Sequence, residues 1–377
     1  MSALTIFLGI ICLGFLVFFH ELGHFSAAHL CGVTVEAFSV GMGPVLLHHR
    51  HGATDYRISL IPLGGYCAMK GEHDYQDALE KELPEIQGAP DSFYGVHPLK
   101  RLLIAFSGPL FNIIFGFIAF FIVALMGYPY LSAGTTVSMA DELYEGMSSP
   151  AHVAGMQTGD RIIAVDGVPV DDFDAIVEAV AVHADEDITI TVERDGIEKS
   201  FTFRTELDKE TGAGRVGIVA QMDSVVERHY GPFPFFPAIA EGARQTVRFI
   251  ALTFKSIAVL FKGVDVTKAV SGPARITTML GSTVQEGFAA GTHIGIVSTL
   301  QFLALISISL FITNMLPVPV LDGGLILFAA IEWIARRKMP PKLLYYIQFV
   351  GIAIIAALFV LAIAGDLRYF FFQGGTE

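Results

Sequence analysis

The stretch from Leu4 to Leu30, LTIFLGIICLGFLVFFHELGHFSAAHL, constrains this chain more than any other. From Ser2 to Phe19 it carries neither charge nor histidine. At about 1.5 Å rise per residue, such a helix reaches most of the way across a hydrocarbon layer of roughly 30 Å. Its end nevertheless holds His20, Glu21 and His24. On a helix, His20 and His24 lie one turn apart on one face, so both imidazoles can reach one metal ion. Glu21 lies beside them and can serve as the base that takes a proton from a water the metal activates. An HExxH string can arise by coincidence. An ionisable residue near a bilayer core costs roughly 2.5–3.5 kcal/mol on insertion scales, so three in five residues need partners there. A zinc ion in a water-reached cavity supplies them.

The rest of the chain fits a membrane setting. Only 16% of its 377 residues are charged, against about a quarter in a soluble domain, and the mean hydropathy is +0.57. A net charge of −13 argues against a nucleic-acid partner. Cys12, Cys31 and Cys67 are odd in number, lack CxxC spacing and read as buried thiols. The N-terminus lacks the basic region of a signal peptide, and cleavage after Ala27 or Ala28 would remove the motif, so an uncleaved span is expected.

Four stretches can span: 3 to about 30, 102 to 130, about 294 to 321, and 343 to 365. Lys100 and Arg101 abut the second, and Arg336, Arg337, Lys338 and Lys342 lie between the third and fourth. The positive-inside rule makes both sets cytoplasmic. Segment 131–293 and both termini are then extracytoplasmic, and the metal site lies toward the cytoplasm. The expected organisation is a first span with HExxH (1–31), a cytoplasmic loop with a membrane-associated sheet (32–98) and a second span (99–130). An extracytoplasmic α+β unit (135–225), an amphipathic membrane-surface helix with linker (232–293), a third span (294–335) and a fourth (343–366) follow.

Within the loop, Asp55–Leu60 alternates and Tyr66–Lys70 resumes an extended pattern after Pro62, Gly64 and Gly65. This predicts a hairpin-like sheet that either covers the site or pairs its edge with an extended substrate. His48, His49 and His51 read as a second metal site or as a solvated, headgroup-facing cluster. Glu72–Asp91 reads as a flexible acidic loop. The second span opens with SGPLFN, where Gly108 and Pro109 loosen the helix start. Asn112 is helix–helix glue or a hydrogen-bonding group at the metal cavity.

Ser149–Val170, SPAHVAGMQTGDRIIAVDGVPV, resembles the PDZ pattern of bacterial envelope proteases: a helix, a Gly-Asp turn, a strand and a Gly-bearing hairpin. A PDZ unit implies a groove that takes a peptide as an added strand, or else a spacer that binds nothing. Residues 236–262 predict an amphipathic helix, with Glu241, Arg244, Arg248, Lys255 and Lys262 within roughly 60° of one another. It suits the outer interface of a bilayer. SGPARI, Ser271–Ile276, carries no derivable chemistry.

The third span ends in NMLPVPVLDGG, Asn314–Gly324. Pro317 and Pro319 break the helix at membrane depth, which is tolerated where backbone lines a cavity. Two histidines need a third ligand for an open catalytic zinc site, and Asp322 is the natural candidate. The longer HExxHxxGxxH form would need a glycine and a histidine where Ala27 and Leu30 stand. His29 lies about 140° round the helix from His24 and cannot share its metal.

Taken together, HELGH, SGPLFN, the PDZ-like unit and NMLPVPVLDGG resemble the site-2 protease family, in its bacterial branch that cleaves anti-sigma factors in the inner membrane. The resemblance implies a polytopic α-helical membrane protein with four transmembrane helices, a membrane-proximal cytoplasmic sheet and one extracytoplasmic PDZ domain. It also implies a zinc intramembrane endopeptidase with His20, His24 and Asp322 as ligands and Glu21 as general base. Asn314, and with it Asn112, would help hold the substrate strand. The implied partners are single-pass membrane protein substrates, a peptide or protein ligand of the PDZ unit, and the lipid bilayer. The single PDZ-like unit departs from the best-known members of the branch, which carry two. A catalytically silent PDZ scaffold would not need every metal and base residue. An intramembrane transporter would favour paired inverted repeats, which the four spans lack.

Overall fold

The computed structural model describes residues 2–209, 211–221, 225–260 and 272–373. The chain divides into two compact units. One comprises Met1–Leu125, Pro234–Ile250 and Ser271–Glu377; the other comprises Met126–Phe233 and Ala251–Val270.

The first unit opens with α1, Ala3–Cys31, capped at its start by the Ser2 hydroxyl, which accepts from the Thr5 N–H. Gly32, at φ +77°, ends it in the left-handed conformation that glycine adopts without strain. Two long strands follow, β1 (Val35–His51) and β2 (Thr54–Met69). Val35–Val40 pairs with both ends of β2: Phe38 stands opposite Tyr56 on one side and Cys67 on the other. Stretch 65–69 therefore lies at the opposite edge of this sheet from the hairpin tip at 45–51, where His51 pairs with Thr54. The acidic segment, expected to be a loop, contains a short helix, α2, Asp74–Glu80, whose Tyr75 and Ala78 are buried.

Helix α3, Pro98–Met126, begins earlier than the apolar run suggested. The reason is Arg101. Read as a flank, it is instead buried and ion-paired with Glu332, whose other oxygen accepts from the Met339 N–H at 2.8 Å. Gly108 and Pro109 thus sit inside α3 rather than at its start.

In the second unit, β3 (Tyr128–Ser132), β4 (Val137–Met139), and the single turns α4 (Ala140–Leu143) and α5 (Pro150–Val153) lead into a four-stranded sheet. That sheet has the order β6–β5–β7–β8, from β5 (Arg161–Val165), β6 (Val168–Pro169), β7 (Asp187–Arg194) and β8 (Ile197–Arg204). Helix α6, Phe173–Ala181, is capped by Asp172. Strands β9 (Glu206–Leu207), β10 (Gly214–Arg215), β11 (Ile218–Ala220) and β12 (Val226–Tyr230) complete it, with β11 paired to β4 and β12 to β3. Met139, Met156, Ile162, Ile176, Ile188 and Ile190 are almost wholly buried in its core. The alternation in DITITVER puts its isoleucines and Val192 inward, as the period-2 pattern dictates.

Helix α7, Phe235–Leu260, forms where an amphipathic helix was expected. Among the described residues of its polar stripe, Glu241 alone is buried, while Arg244, Arg248 and Lys255 are exposed as expected. Gly242 backs onto Phe121 of α3, and Phe235, Phe236 and Val247 are exposed. Phe249 stacks on Phe120 at 5.2 Å. Phe261, Lys262 and Ser271 lie outside the described residues.

Residues expected to be linker form α8, Pro273–Ala290, which packs against α1. Small residues make that contact: a Cβ on Gly281 would lie 2.6 Å from the Thr5 carbonyl carbon, and one on Gly9 2.8 Å from that of Thr277. The PARI string is the first turn of this helix. Asp366 caps it, accepting from the Gly272 and Ala274 N–H groups at 2.9 Å. Helix α9, Thr292–Met315, ends at the proline pair; α10, Asp322–Ala335, and α11, Pro341–Arg368, follow. Among the described residues, four helices are long and apolar enough to cross a membrane: Ala3–Cys31, Pro98–Met126, Thr292–Met315 and Pro341–Phe371.

Candidate metal centre

Two interruptions of regular structure assemble the site. The first is in α3. Pro109 has no N–H, so the Ala105 carbonyl loses its helical partner. Gly108 removes a side chain where α1 crosses: a Cβ there would lie 2.6 Å from His24 Cε1 and 2.8 Å from Cδ2. Gly23 does the same from α1, where a Cβ would lie 2.8 Å from the Ser107 carbonyl carbon. The paired glycines bring the helices close enough for His24 Nδ1 to donate to the Ile104 carbonyl at 2.8 Å. That bond fixes the tautomer and leaves the Nε2 lone pair facing inward.

The second interruption lies between α9 and α10. After Met315 the chain turns through Leu316–Leu321, and Val320 adopts φ +83°, rare for a β-branched residue. Gly323 and Gly324 let this turn fold back on the first turn of α10: a Cβ on Gly324 would stand 2.9 Å from Pro319 Cα. The strained turn thus delivers Asp322 from the start of α10.

Three groups converge. His20 Nε2 lies 3.2 Å from Asp322 Oδ2, His24 Nε2 lies 3.3 Å from Asp322 Oδ1, and the two Nε2 atoms are 3.2 Å apart. Among the described residues, this is the one place where three potential metal donors meet. A tetrahedral ion with bonds of about 2.0–2.1 Å separates its ligand atoms by about 3.3 Å, so the set has the dimensions zinc requires. Two imidazole nitrogens aimed at each other across a carboxylate also make sense around a shared cation. The donors therefore fit the ion on their own chemistry.

Asn112 is fully buried on α3, with its amide 3.0 Å from His20 Nδ1 and its Oδ1 buried without a partner. Carboxamide oxygen and nitrogen are exchanged by a half-turn. In the turned orientation Oδ1 accepts from Nδ1–H, the orphan is satisfied, and the His20 Nε2 lone pair is directed at the centre. Of the two uses read for Asn112 from the sequence, helix glue and hydrogen bonding at the metal cavity, its position matches the second. It sits behind a metal-facing imidazole and not in the cavity wall, so the expected hold on a substrate strand has no surface to act through.

The centre opens into a cavity of about 560 Å³. Glu21, Asn314, Ala105, Glu72 and the edge stretch 65–69 are among its walls. Gly65 keeps that stretch against α1, since a Cβ would be 3.3 Å from Glu21 Cγ. Burial pushes the Glu72 carboxyl above its ordinary range. Burial likewise pushes the Cys67 thiol above its ordinary range. Glu72 was missed in sequence reading because it begins an acidic run that looked solvated. His48 is exposed and lies 3.2 Å from Asp55, apart from this centre. Cys12, Cys31 and Cys67 are free thiols.

The model of peptidase family M50 matches residues 8–358. A Treponema pallidum protein described as "Putative zinc metalloprotease" is 36% identical, over 98% of this chain and all of its own. Proteins of Campylobacter jejuni and Rhizobium meliloti with the same description are each 32% identical, covering 95% and 94% of this chain and 92% and 94% of their own. On its family match across these spans and on a donor set of zinc's dimensions, the chain belongs to peptidase family M50, the site-2 protease family of zinc-dependent metalloproteases.

Proposed function

We propose that the chain is an intramembrane endopeptidase that hydrolyses peptide bonds in or near the transmembrane segments of single-pass membrane proteins. The observation that carries this reading is the near-equal spacing of His20 Nε2, His24 Nε2 and the Asp322 carboxylate beside Glu21. In it, His20, His24 and Asp322 would hold the zinc. When bound, zinc supplies Lewis-acid chemistry, polarising the scissile carbonyl and acidifying water. Glu21 takes the proton from the attacking water and passes it to the departing amine. Asn112 orients His20, and the Ile104 carbonyl orients His24.

A substrate helix must unwind before its amides can be attacked. The edge at 65–69 offers backbone groups to an extended chain, and Asn314 lies in the same cavity, so pairing there offsets the helical bonds given up. The four apolar helices among the described residues support a bacterial cell-membrane location. The basic residues near α3 and α11 support a cytoplasm-facing site with the second unit outside. That unit acts as a PDZ domain. A groove of about 600 Å³, walled by Ile176, Val180, Gly217 and Ile218, supports this use and is sized for an extended peptide. Anti-sigma factors and signal-peptide remnants are the expected substrate classes.

The test is co-expression with candidate single-pass proteins. Wild type should shorten the substrate, and Glu21→Gln should leave it intact while retaining zinc. Full cleavage by Glu21→Gln would overturn the reading.

A further inference from the structure

A second cavity of about 600 Å³ lies in the first unit, where α3 begins and α10 ends. Arg101, Arg336, Arg337 and Lys338 line it, with Glu332 as the one carboxylate. Glu332 is already engaged by Arg101 and the Met339 N–H. The lining thus holds a surplus of three positive charges, in a chain whose net charge is −13. Among the described residues, neither Arg336 nor Arg337 forms an ion pair, and both are exposed.

The floor is built rather than incidental. Arg101 is 6% exposed, and its Nε is buried with no hydrogen-bond partner. Its guanidinium stands 5.3 Å from the Tyr94 ring centre, which holds it in place. A buried, unpaired guanidinium nitrogen is costly, and a phosphate oxygen satisfies it with the planar geometry arginine favours. At the wall, Trp333 is 48% exposed, the kind of ring that collects at a bilayer's headgroup level. The chain next to both α3 and α11 passes this spot, so the cavity sits at the end of two candidate spans.

We propose that this cavity binds the phosphodiester headgroup of an anionic phospholipid, with Arg101 beneath it, Arg336 and Arg337 around it, and Trp333 against its glycerol and acyl stem. The inference rests on α3 and α11 spanning a bilayer and is independent of the peptidase chemistry.

The test uses the full chain in nonionic detergent. Retained lipid is counted by native mass spectrometry after exposure to phosphatidylcholine alone, or with one part in five phosphatidylglycerol. Wild type should retain one phosphatidylglycerol and discriminate against phosphatidylcholine. R337Q should weaken retention about five-fold and R336Q/R337Q by about the square of that, the worth of roughly 1 kcal/mol per basic group at such a surface. Both arginines are exposed, so the variants should keep wild-type helical content and zinc content, which are measured alongside. Equal retention of phosphatidylglycerol by wild type and R336Q/R337Q would overturn the proposal. So would competition at equal concentration by soluble glycerol phosphate, which would make the occupant a free phosphate, or by an acidic peptide, which would make it a protein segment.

Discussion

Gly108→Ala adds a single methyl group, but it sets that group against His24 Nε2, a candidate ligand atom, and should empty the metal centre. The added Cβ would lie 2.6 Å from His24 Cε1, where carbon atoms ordinarily approach no closer than about 3.5 Å, so the imidazole must retreat by about 0.9 Å. Metal–ligand distances tolerate about 0.2 Å. The ring cannot swing aside freely, because its Nδ1 is tied to the Ile104 carbonyl in the same helix as the new methyl. Either Nε2 leaves the centre or α1 and α3 separate, and overpacking of that kind costs about 1–3 kcal/mol. Zinc affinity should fall by about a hundred-fold or more, in the range that loss of ligand orientation produces. Zinc content of the purified full chain, measured by plasma mass spectrometry after dialysis against a graded chelator, reads this directly. Gly116→Ala on the same helix is the control: its Cβ would meet Ile308 Cγ1 at 3.0 Å and no donor of the centre, so crowding between helices alone should leave zinc content unchanged. A folded Gly108→Ala protein with wild-type zinc affinity would refute the close-packing argument.

Asn112→Leu should keep the helix contact but release the His20 ring, lowering zinc affinity by about ten- to a hundred-fold in the same chelator titration. Asp160→Asn should destabilise the second unit by about 2 kcal/mol in urea unfolding. The value falls below the ~3–5 of a fully buried pair because Arg194 keeps some surface in water. Its carboxylate accepts from Arg194 Nε at 2.6 Å and Nη2 at 2.7 Å, and from the Gln157 N–H at 2.9 Å. Burial alone would raise the Asp160 carboxyl, but these bonds outweigh it and hold it below the ordinary carboxylate range. The contribution is therefore full above the unfolded value of about 3.9 and is lost as pH falls through the lower folded value. The wild-type advantage over Asp160→Asn should be flat from pH 8 to 5 and shrink only below about 3.9.

The sequence made the candidate site legible because each of its residues breaks a local rule. His20, Glu21 and His24 are ionisable residues in an apolar helix, and Asp322 follows two prolines that no continuous span would carry. The change from apolar runs to alternating β-rich strings near residue 135 likewise marked the second unit. What stayed hidden depends on partners far along the chain. Gly108 reads as a loosened helix start until His24 is found against it. Arg101 reads as a basic flank until Glu332, 231 residues away, is found beside it. An acid in the apolar helix Asp322–Ala335 was a clue that some partner had to exist. Helix α8 was missed because it meets α1 through Thr277 and Gly281, small residues that add little hydropathy. The burial of Glu241 on α7 was hidden because periodicity reports that two faces differ, not which residues at their border a neighbour covers.

The central claim is that one zinc ion is shared by a helix-borne histidine pair and a carboxylate from the start of α10. Zinc K-edge X-ray absorption of the purified wild type and Asp322→Ala tests it most directly. The wild type should show only nitrogen and oxygen neighbours at about 2.0–2.2 Å, and Asp322→Ala should lose bound zinc. A sulfur shell at about 2.3 Å, which would bring Cys67 into the centre, or undiminished zinc in Asp322→Ala, would contradict it.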